Sequence, residues 1–497
     1  MANKNFKVIV IGGGPVGVTM ANSLAKAGID FVVLERRLSI GEDEGASLFL
    51  AAEGLRALAQ LGILDRLYEI SAELIQTRIT TNDGRLLKET RLLDNFRNAN
   101  GTNTHVFHRA HLVRAVYDNL SESDKSRVLT NKKVIDIAAD DLGVTVRCAD
   151  GSKYDGSIVV GADGTHSLVR KRMRTLALQA SPTIDIGDEK PFSSSYRTMW
   201  CSFPFQGFEN GGPPGTAWAA HGWGHSLQYA IGHDGAWIFI YEKLPAETKE
   251  TPRYTEKDTI AFAEKWADLA VGDTLTVKDV FPQRHRSGMI TLEEGIAKRW
   301  SWGRIVLAGD AVHKFTPNIG LGYINGLQDA FALTNELYRV LHAPSQEGYK
   351  EKTDKARSKK DPGIKALSTA FERYQNSRVE NVKSDWTSSA METRLAAWHN
   401  NKYWFMDRWV RPYTPRWFDM LLARRTGMER ASRGVVLDFL DGEEPFPTAR
   451  VAWKNPIPGL GGLAAVKEAE RSSTPSYWRI LGVCCVFIAA YVVLSRR

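Results

Sequence analysis

The chain has 497 residues, 43% apolar and 25% charged, which excludes a disordered or fibrous chain and points to about three folding units. Lys+Arg 65 against Asp+Glu 57 leaves a net charge of +8, which requires no nucleic-acid partner and suits an anionic cofactor or a membrane surface equally well. The four cysteines, Cys148, Cys201, Cys484 and Cys485, lack the paired spacing of a zinc site or a disulfide scaffold, so no metal is expected and a reduced, cytosol-facing protein is.

The N-terminus lacks the charged, apolar and small-residue succession of a signal peptide, so secretion is not expected. Residues 6–11, Phe-Lys-Val-Ile-Val-Ile, read as a buried strand that runs into Gly12-Gly13-Gly14-Pro15-Val16-Gly17 and then a helix. A second strand, 31–34, ends in Glu35. This is the βαβ pattern of a dinucleotide site. Gly12 permits the tight turn, Gly14 lets backbone approach a pyrophosphate at the helix N-terminus, and Gly17 lets helix and sheet pack closely. Glu35 is placed to accept ribose hydroxyls, and an acid there disfavours a 2′-phosphate, leaving FAD or NAD as the occupant.

Further along, Ser157-Ile-Val-Val-Gly-Ala-Asp163-Gly164 is a strand entering an Asp-Gly turn and a helix. Residues 190–290 carry aromatics on short alternating runs, such as Ala236-Trp-Ile-Phe-Ile-Tyr241, and predict a mostly antiparallel sheet. Arg304-Ile-Val-Leu-Ala-Gly309-Asp310 repeats the strand-and-turn pattern, and Pro317 with Gly320 to Gly322 opens a helix through Asp329. The amides at the start of that helix suit an anionic group. Asp310, at a strand end remote from the first glycine turn, is placed to anchor the far half of a long cofactor. His313 is read as a packing residue, having no partner acid in its neighbourhood. Residues 350–360 form a basic loop, and 364–462 read as helical. Last, Ile480 to Leu494 is an uncharged run of 15 residues between Tyr477-Trp478-Arg479 and Arg496-Arg497. As a helix it reaches about 22 Å against a hydrocarbon core of about 30 Å. Its apolar faces and its aromatic and basic collar predict a single-pass tail anchor over 478–495 in the endoplasmic reticulum membrane, with the catalytic body in the cytosol.

The three strand-and-turn passages, in this order and with Arg109 in Phe107-His108-Arg109-Ala110, resemble the class A flavoprotein monooxygenases, the family of para-hydroxybenzoate and salicylate hydroxylases. The resemblance covers residues 6 to about 400. A closer similarity is to the fungal membrane-linked epoxidases of indole-diterpene and meroterpenoid pathways, on Ala27-Gly-Ile-Asp-Phe-Val-Val-Leu-Glu35, Leu112-Val-Arg-Ala-Val-Tyr-Asp-Asn-Leu120 and His313-Lys-Phe-Thr-Pro-Asn-Ile-Gly320. It implies an α/β fold. A Rossmann-like FAD-binding domain would occupy 1–180 and 291–345, with an inserted antiparallel-sheet substrate domain at 181–290, a helical region at 346–475 and the terminal membrane helix.

The resemblance assigns FAD to Gly12, Gly14, Gly17 and Glu35, with Arg109 beside the flavin, Asp310 on the ribityl chain, and Gly322 and Tyr323 at the helix start. Asp163 falls in a stretch tied to both FAD and nicotinamide. It implies NADPH and O2 as co-substrates, and delivery of one oxygen atom to an alkene of a hydrophobic prenylated substrate. A neighbouring membrane cyclase would be a partner. Arg197 matches an arginine that phenol hydroxylases use and His221 aligns with a tyrosine; these are the candidate catalytic residues. Aromatic hydroxylation is a second reading. A flavoprotein that inserts no oxygen is a third. Two departures stand out. The family reads Gly-Gln-Gly-Gly-Asn where this chain reads Gly320-Leu-Gly322-Tyr323-Ile324-Asn325, and Gly-Ala-Ser-Ile-Gly where it reads Gly45-Ala46-Ser47-Leu48-Phe49.

Overall fold

A computed structural model describes residues 5–42, 46–90, 92–205, 211–342 and 362–459. In chain order, β1 (Lys7–Ile11), α1 (Pro15–Lys26) and β2 (Asp30–Leu34) form the opening unit, followed by β3 (Ser47–Leu50) and α2 (Ala52–Gln60). Then come β4 (Gln76–Thr81), β5 (Leu86–Thr90), β6 (His105–His108), α3 (Arg109–Asp118), β7 (Val128–Leu129), β8 (Ile158–Gly161) and α4 (Leu168–Ala180). The central stretch supplies β9 (Ser193–Phe203), β10 (Thr216–Gly222), β11 (His225–Ile231), β12 (Ala236–Thr248), α5 (Glu256–Lys265) and β13 (Arg286–Ile296). It closes with β14 (Ser301–Trp302), β15 (Ile305–Leu307), β16 (His313–Lys314), α6 (Leu321–His342) and α7 (Ile364–Ala396).

The first sheet has the order β14-β15-β8-β1-β2-β7, parallel except for β14. Its strands read as unbroken apolar runs because both faces are covered; Val8, Ile9 and Val10 have no exposed surface. Pro15 starts α1 where a missing N–H loses nothing. α6 carries buried residues on every side from Leu321 to Leu337, with α1 against one flank and α7 against another.

The second sheet has eight strands in the order β16-β13-β9-β12-β11-β10-β4-β5. It draws β4 and β5 from well before residue 181, so it is not made by one continuous insertion. Alternation along its strands separates two faces. Met199, Cys201, Ile238, Ile240, Leu227 and Tyr229 pack with Phe262 of α5 on the outer face. Ala230 and Trp237 point the other way and pack with Val106 and Phe49 of the first domain.

The expectation of a terminal membrane helix is corrected. Among the described residues no helix is long and apolar enough to cross a membrane. The run Ile480 to Leu494, the 350–360 loop and residues 460–475 lie outside the described residues.

The end of the described chain is held to the first domain by a buried ion pair. Arg56 on α2 donates from Nε to Glu444 at 2.8 Å, with Nη2 2.7 Å from the same carboxylate, and its guanidinium lies over Trp453 at 4.4 Å. Both side chains are almost wholly buried. Arg56→Ala strands the Glu444 carboxylate away from water, so it is expected to destabilise the protein by about 3 to 5 kcal/mol in urea unfolding. Arg56→Met with Glu444→Leu is expected to recover most of that loss, and a double variant no better than the single one would show that packing, not charge, is what Arg56 supplies.

Candidate cofactor and substrate site

The carboxyl ends of β1 and β2 open into a groove lined by Gly13, Gly14, Glu35, Arg37 and Arg109. Gly12 has φ +104°, and a Cβ there would meet the Ala162 carbonyl oxygen at 2.4 Å. A Cβ on Gly17 would lie 1.8 Å from the Gly12 carbonyl oxygen, so only glycine lets α1 sit this close to the turn. Gly14 differs: a Cβ on it would meet nothing within 4 Å. Backbone therefore faces open space at the start of α1, the cradle a pyrophosphate needs.

Glu35 is buried, with Oε2 accepting the Gly13 N–H at 2.6 Å and Oε1 the Arg37 N–H at 2.8 Å. A carboxylate offers about four acceptor positions, so two remain for ribose hydroxyls. Near Arg109, Asp310 ion-pairs with Lys314. Burial pushes the Asp310 carboxyl up, but Lys314, His313 and Arg109 together draw it below its ordinary range. Asp310, Arg109 and Gly322 thus share one region, and a Cβ on Gly322 would come no nearer than 4.0 Å to Asp310 Oδ1. These residues fit an FAD, with an acid at each end and exposed amides between.

Other expected residues are placed differently. The Tyr323 side chain turns into the packing between α6 and α1, its hydroxyl 2.9 Å from Thr19 Oγ1, which leaves only its backbone at the helix start. Asp163 accepts from Ser167 Oγ at 2.5 Å and from the Val169 N–H at 3.1 Å. It holds the turn into α4, and burial raises its carboxyl pKa.

Arg197 and His221 are not brought together. Arg197 pairs with Glu242, 2.6 Å from Nε, and lies over Phe262 on the outer face of the second sheet. His221 is on the inner face but fully buried, its Nδ1 2.7 Å from Asp407 Oδ2. Asp407 also accepts from Trp398 Nε1 at 2.9 Å and pairs with Arg411, so His221 anchors the region after α7.

His313 does have an acidic partner, contrary to expectation. Its Nε2 lies 2.6 Å from Oδ2 of Asp329, which also accepts the Gly309 N–H at 3.0 Å. Arg378 of α7 donates to Asp329 Oδ1 at 3.0 Å, to Gln328 at 2.9 Å and to Asn325 at 2.7 Å. Sequence reasoning missed Asp329 and Arg378. The available signal was an acid inside the apolar stretch Gly326-Leu-Gln-Asp329-Ala-Phe-Ala-Leu, since a charge there must be paired.

Facing this groove is the inner face of the second sheet. Register sets Trp200, Phe239, Gln228 and Ala219 side by side across β9, β12, β11 and β10. Trp237 and Ala217 lie one pair along, and the Trp237 ring meets His108, next to Arg109, edge-on at 5.7 Å. The arrangement is a nucleotide groove opposite a largely hydrocarbon floor.

Residues 5–206 and 257–360 match the family described as FAD binding domain. The FAD-dependent monooxygenase cdmI of Talaromyces verruculosus is 34% identical over 416 residues, covering 83% of each chain. The FAD-dependent monooxygenase ausM of Penicillium brasilianum is 30% identical over 495 residues, covering 99% of this chain and 97% of its own. Klebsiella pneumoniae HpxO, solved with FAD and uric acid, shares the fold at a TM-score of 0.65 and 20% identity over 86% of this chain and 97% of that one. The chain belongs to this FAD-binding family and is an FAD-dependent monooxygenase.

Burial alone would raise the Asp329 carboxyl, but His313, Arg378 and the Gly309 N–H outweigh it and hold it at about 2, against 3.8 ordinarily. A depressed acid contributes stability in full above its unfolded pKa, and loses it as pH falls through the folded one. The contribution is thus complete above about pH 4 and lost toward pH 2, on the order of 2 kcal/mol. Asp329→Asn is expected to destabilise the protein by about 3 to 5 kcal/mol at pH 7 by leaving Arg378 buried without its counter-charge. It is also expected to flatten the acid limb of urea-unfolding free energy between about pH 4 and pH 2, and an equally steep limb in the variant would remove Asp329 as its source.

Proposed function

We propose that this FAD-dependent monooxygenase uses NADPH and O2 to epoxidise a prenyl alkene of a meroterpenoid or diterpenoid intermediate in fungal secondary metabolism. The observation that carries the reading is the pairing of a pyrophosphate cradle with a floor of Trp200, Phe239, Ala217 and Ala219. Bound FAD supplies the activation of O2; the chain's residues hold, orient and keep dry. Gly12, Gly14 and Gly17 shape the pyrophosphate turn, Glu35 takes the ribose, and Arg109 and Asp310 flank the distal half. The N–H groups opening α6 supply a positive field. The balance is alkene, O2, NADPH and a proton giving epoxide, water and NADP+. An alkene brings no ionisable group, so a largely hydrocarbon floor suits it.

Aromatic hydroxylation would draw on Arg197 to polarise a phenolate. Arg197 lies on the outer face with its charge met by Glu242, which weighs against that reading.

Two experiments test the proposal. Incubating the purified protein with NADPH, 18O2 and a panel of prenylated aromatics and pyrones is expected to give a product heavier by one labelled oxygen, with the alkene signals lost. Label on the ring would favour hydroxylation, and consumption of NADPH without label in any product would remove oxygen insertion. Separately, Glu35→Ala is expected to weaken FAD retention on the order of tenfold or more while the fold survives, since charge-assisted bonds to the ribose are lost. Undiminished flavin absorbance after gel filtration would count against the ribose assignment.

A further inference from the structure

At the centre of the inner face of the second sheet stands a polar side chain that is not sealed away. Trp200, Phe239, Ala217 and Ala219 are partly open, Tyr241 and His221 are fully buried, and Gln228 stands among them half-buried. A polar side chain in that position needs a reason, since any apolar residue of similar size would complete a hydrocarbon floor.

Its amide is oriented by two bonds. The Tyr241 hydroxyl donates to Gln228 Oε1 at 2.8 Å, and Gln228 Nε2 donates to the Asn318 carbonyl oxygen at 2.8 Å. These fix which end of the amide is oxygen. An amide has two N–H donors and two lone pairs, so one of each is left for a ligand. Asn318 is itself anchored, its Oδ1 2.6 Å from Thr393 Oγ1, while its Nδ2 is buried and finds no acceptor among the described residues. This corner therefore has more hydrogen-bonding capacity than the protein uses.

Asn318 belongs to the Pro317–Ile319 turn, which ends at Gly320 just before α6. Gln228 thus links the substrate floor to the loop at the cofactor end of the groove. We propose that Gln228 determines substrate specificity by hydrogen-bonding an oxygen on the head group of an otherwise hydrocarbon ligand, while the aromatic floor takes the chain. The inference rests on the monooxygenase reading for its choice of ligand class, though not on turnover.

The test uses the FAD-loaded enzyme and two probes alike but for one hydroxyl, 4-farnesylphenol and farnesylbenzene, with binding read by quenching of tryptophan fluorescence. The wild type is expected to bind the phenol about tenfold more tightly, the value of one well-placed hydrogen bond in a dry site. In Gln228→Leu the ratio of the two dissociation constants is expected to fall to about one, with FAD content and farnesylbenzene affinity unchanged. Should Gln228→Leu not fold, Tyr241→Phe keeps the ring but releases the amide, and the ratio is expected to fall at least threefold. A wild-type ratio near one, or a ratio unmoved in the variant that folds, overturns the proposal. If the ratio falls as stated and no oxygen enters either probe, the epoxidase reading fails and the assignment of Gln228 stands.

Discussion

A carboxylate sealed from water must be met by positive charge and N–H groups, and Asp329 meets that demand with partners from two other segments of the chain. Gly309 and His313 come from the turn after β15, and Arg378 from α7, while Asp329 itself sits on α6. Each partner is costly to leave alone once buried. The turn carrying Asp310 is consequently fixed relative to the helix whose N-terminus faces the groove. Tyr374 on α7 adds a bond from its hydroxyl to the Leu307 carbonyl oxygen at 3.1 Å, so α7 grips the same strand end twice. The distal half of the cofactor site owes its shape to this charge, which does not itself face the groove.

The second sheet is positioned by comparable means at its far edge. His221 reaches Asp407, and Asp407 reaches Trp398 and Arg411, while the Gly224 N–H donates to the Ala397 carbonyl oxygen at 2.8 Å. Burial would raise the Asp407 carboxyl, yet His221 and Arg411 hold it at about 2. Two buried carboxylates thus hold α7, one at its middle through Arg378 and one just past its C-terminal end through Trp398. A helix held at these two points keeps floor and groove at a set distance, which positioning a reactive group against a substrate demands.

What could be read in advance follows from the range of the interactions. The β1-α1-β2 unit, Glu35 and the Gly309-Asp310 turn were legible because their chemistry is local, with close packing at Gly12 and Gly17 written into a few adjacent letters. Alternation across 190–290 disclosed a sheet but not which face met α5, and so could not place Arg197 on the outer side. His313 looked unpartnered because Asp329 approaches it only through the fold of α6. The link from Gln228 to Asn318 spans 90 residues, beyond any spacing rule. The C-terminal run, read from its composition as a membrane helix, lies outside the described residues.

The two departures from the family pattern become intelligible at the same corner. Phe49 on β3 stands where the resemblance leads one to expect glycine, and its backbone and Cβ approach Gly320, at which a Cβ would come within 2.8 Å of Phe49 Cβ. The bulk on one strand is matched by the missing side chain opposite, with Gly320 in the left-handed region at φ +69°. The asparagine displaced by one residue obeys helical geometry. A shift of one position turns a side chain through about 100°, and Asn325 accordingly points inward, to Asp385 at 2.8 Å and to Arg378. It joins the charge network behind the groove instead of lining it. Asn325 thereby tightens the hold on the helix whose N-terminal amides face the groove, leaving backbone groups to make that contact.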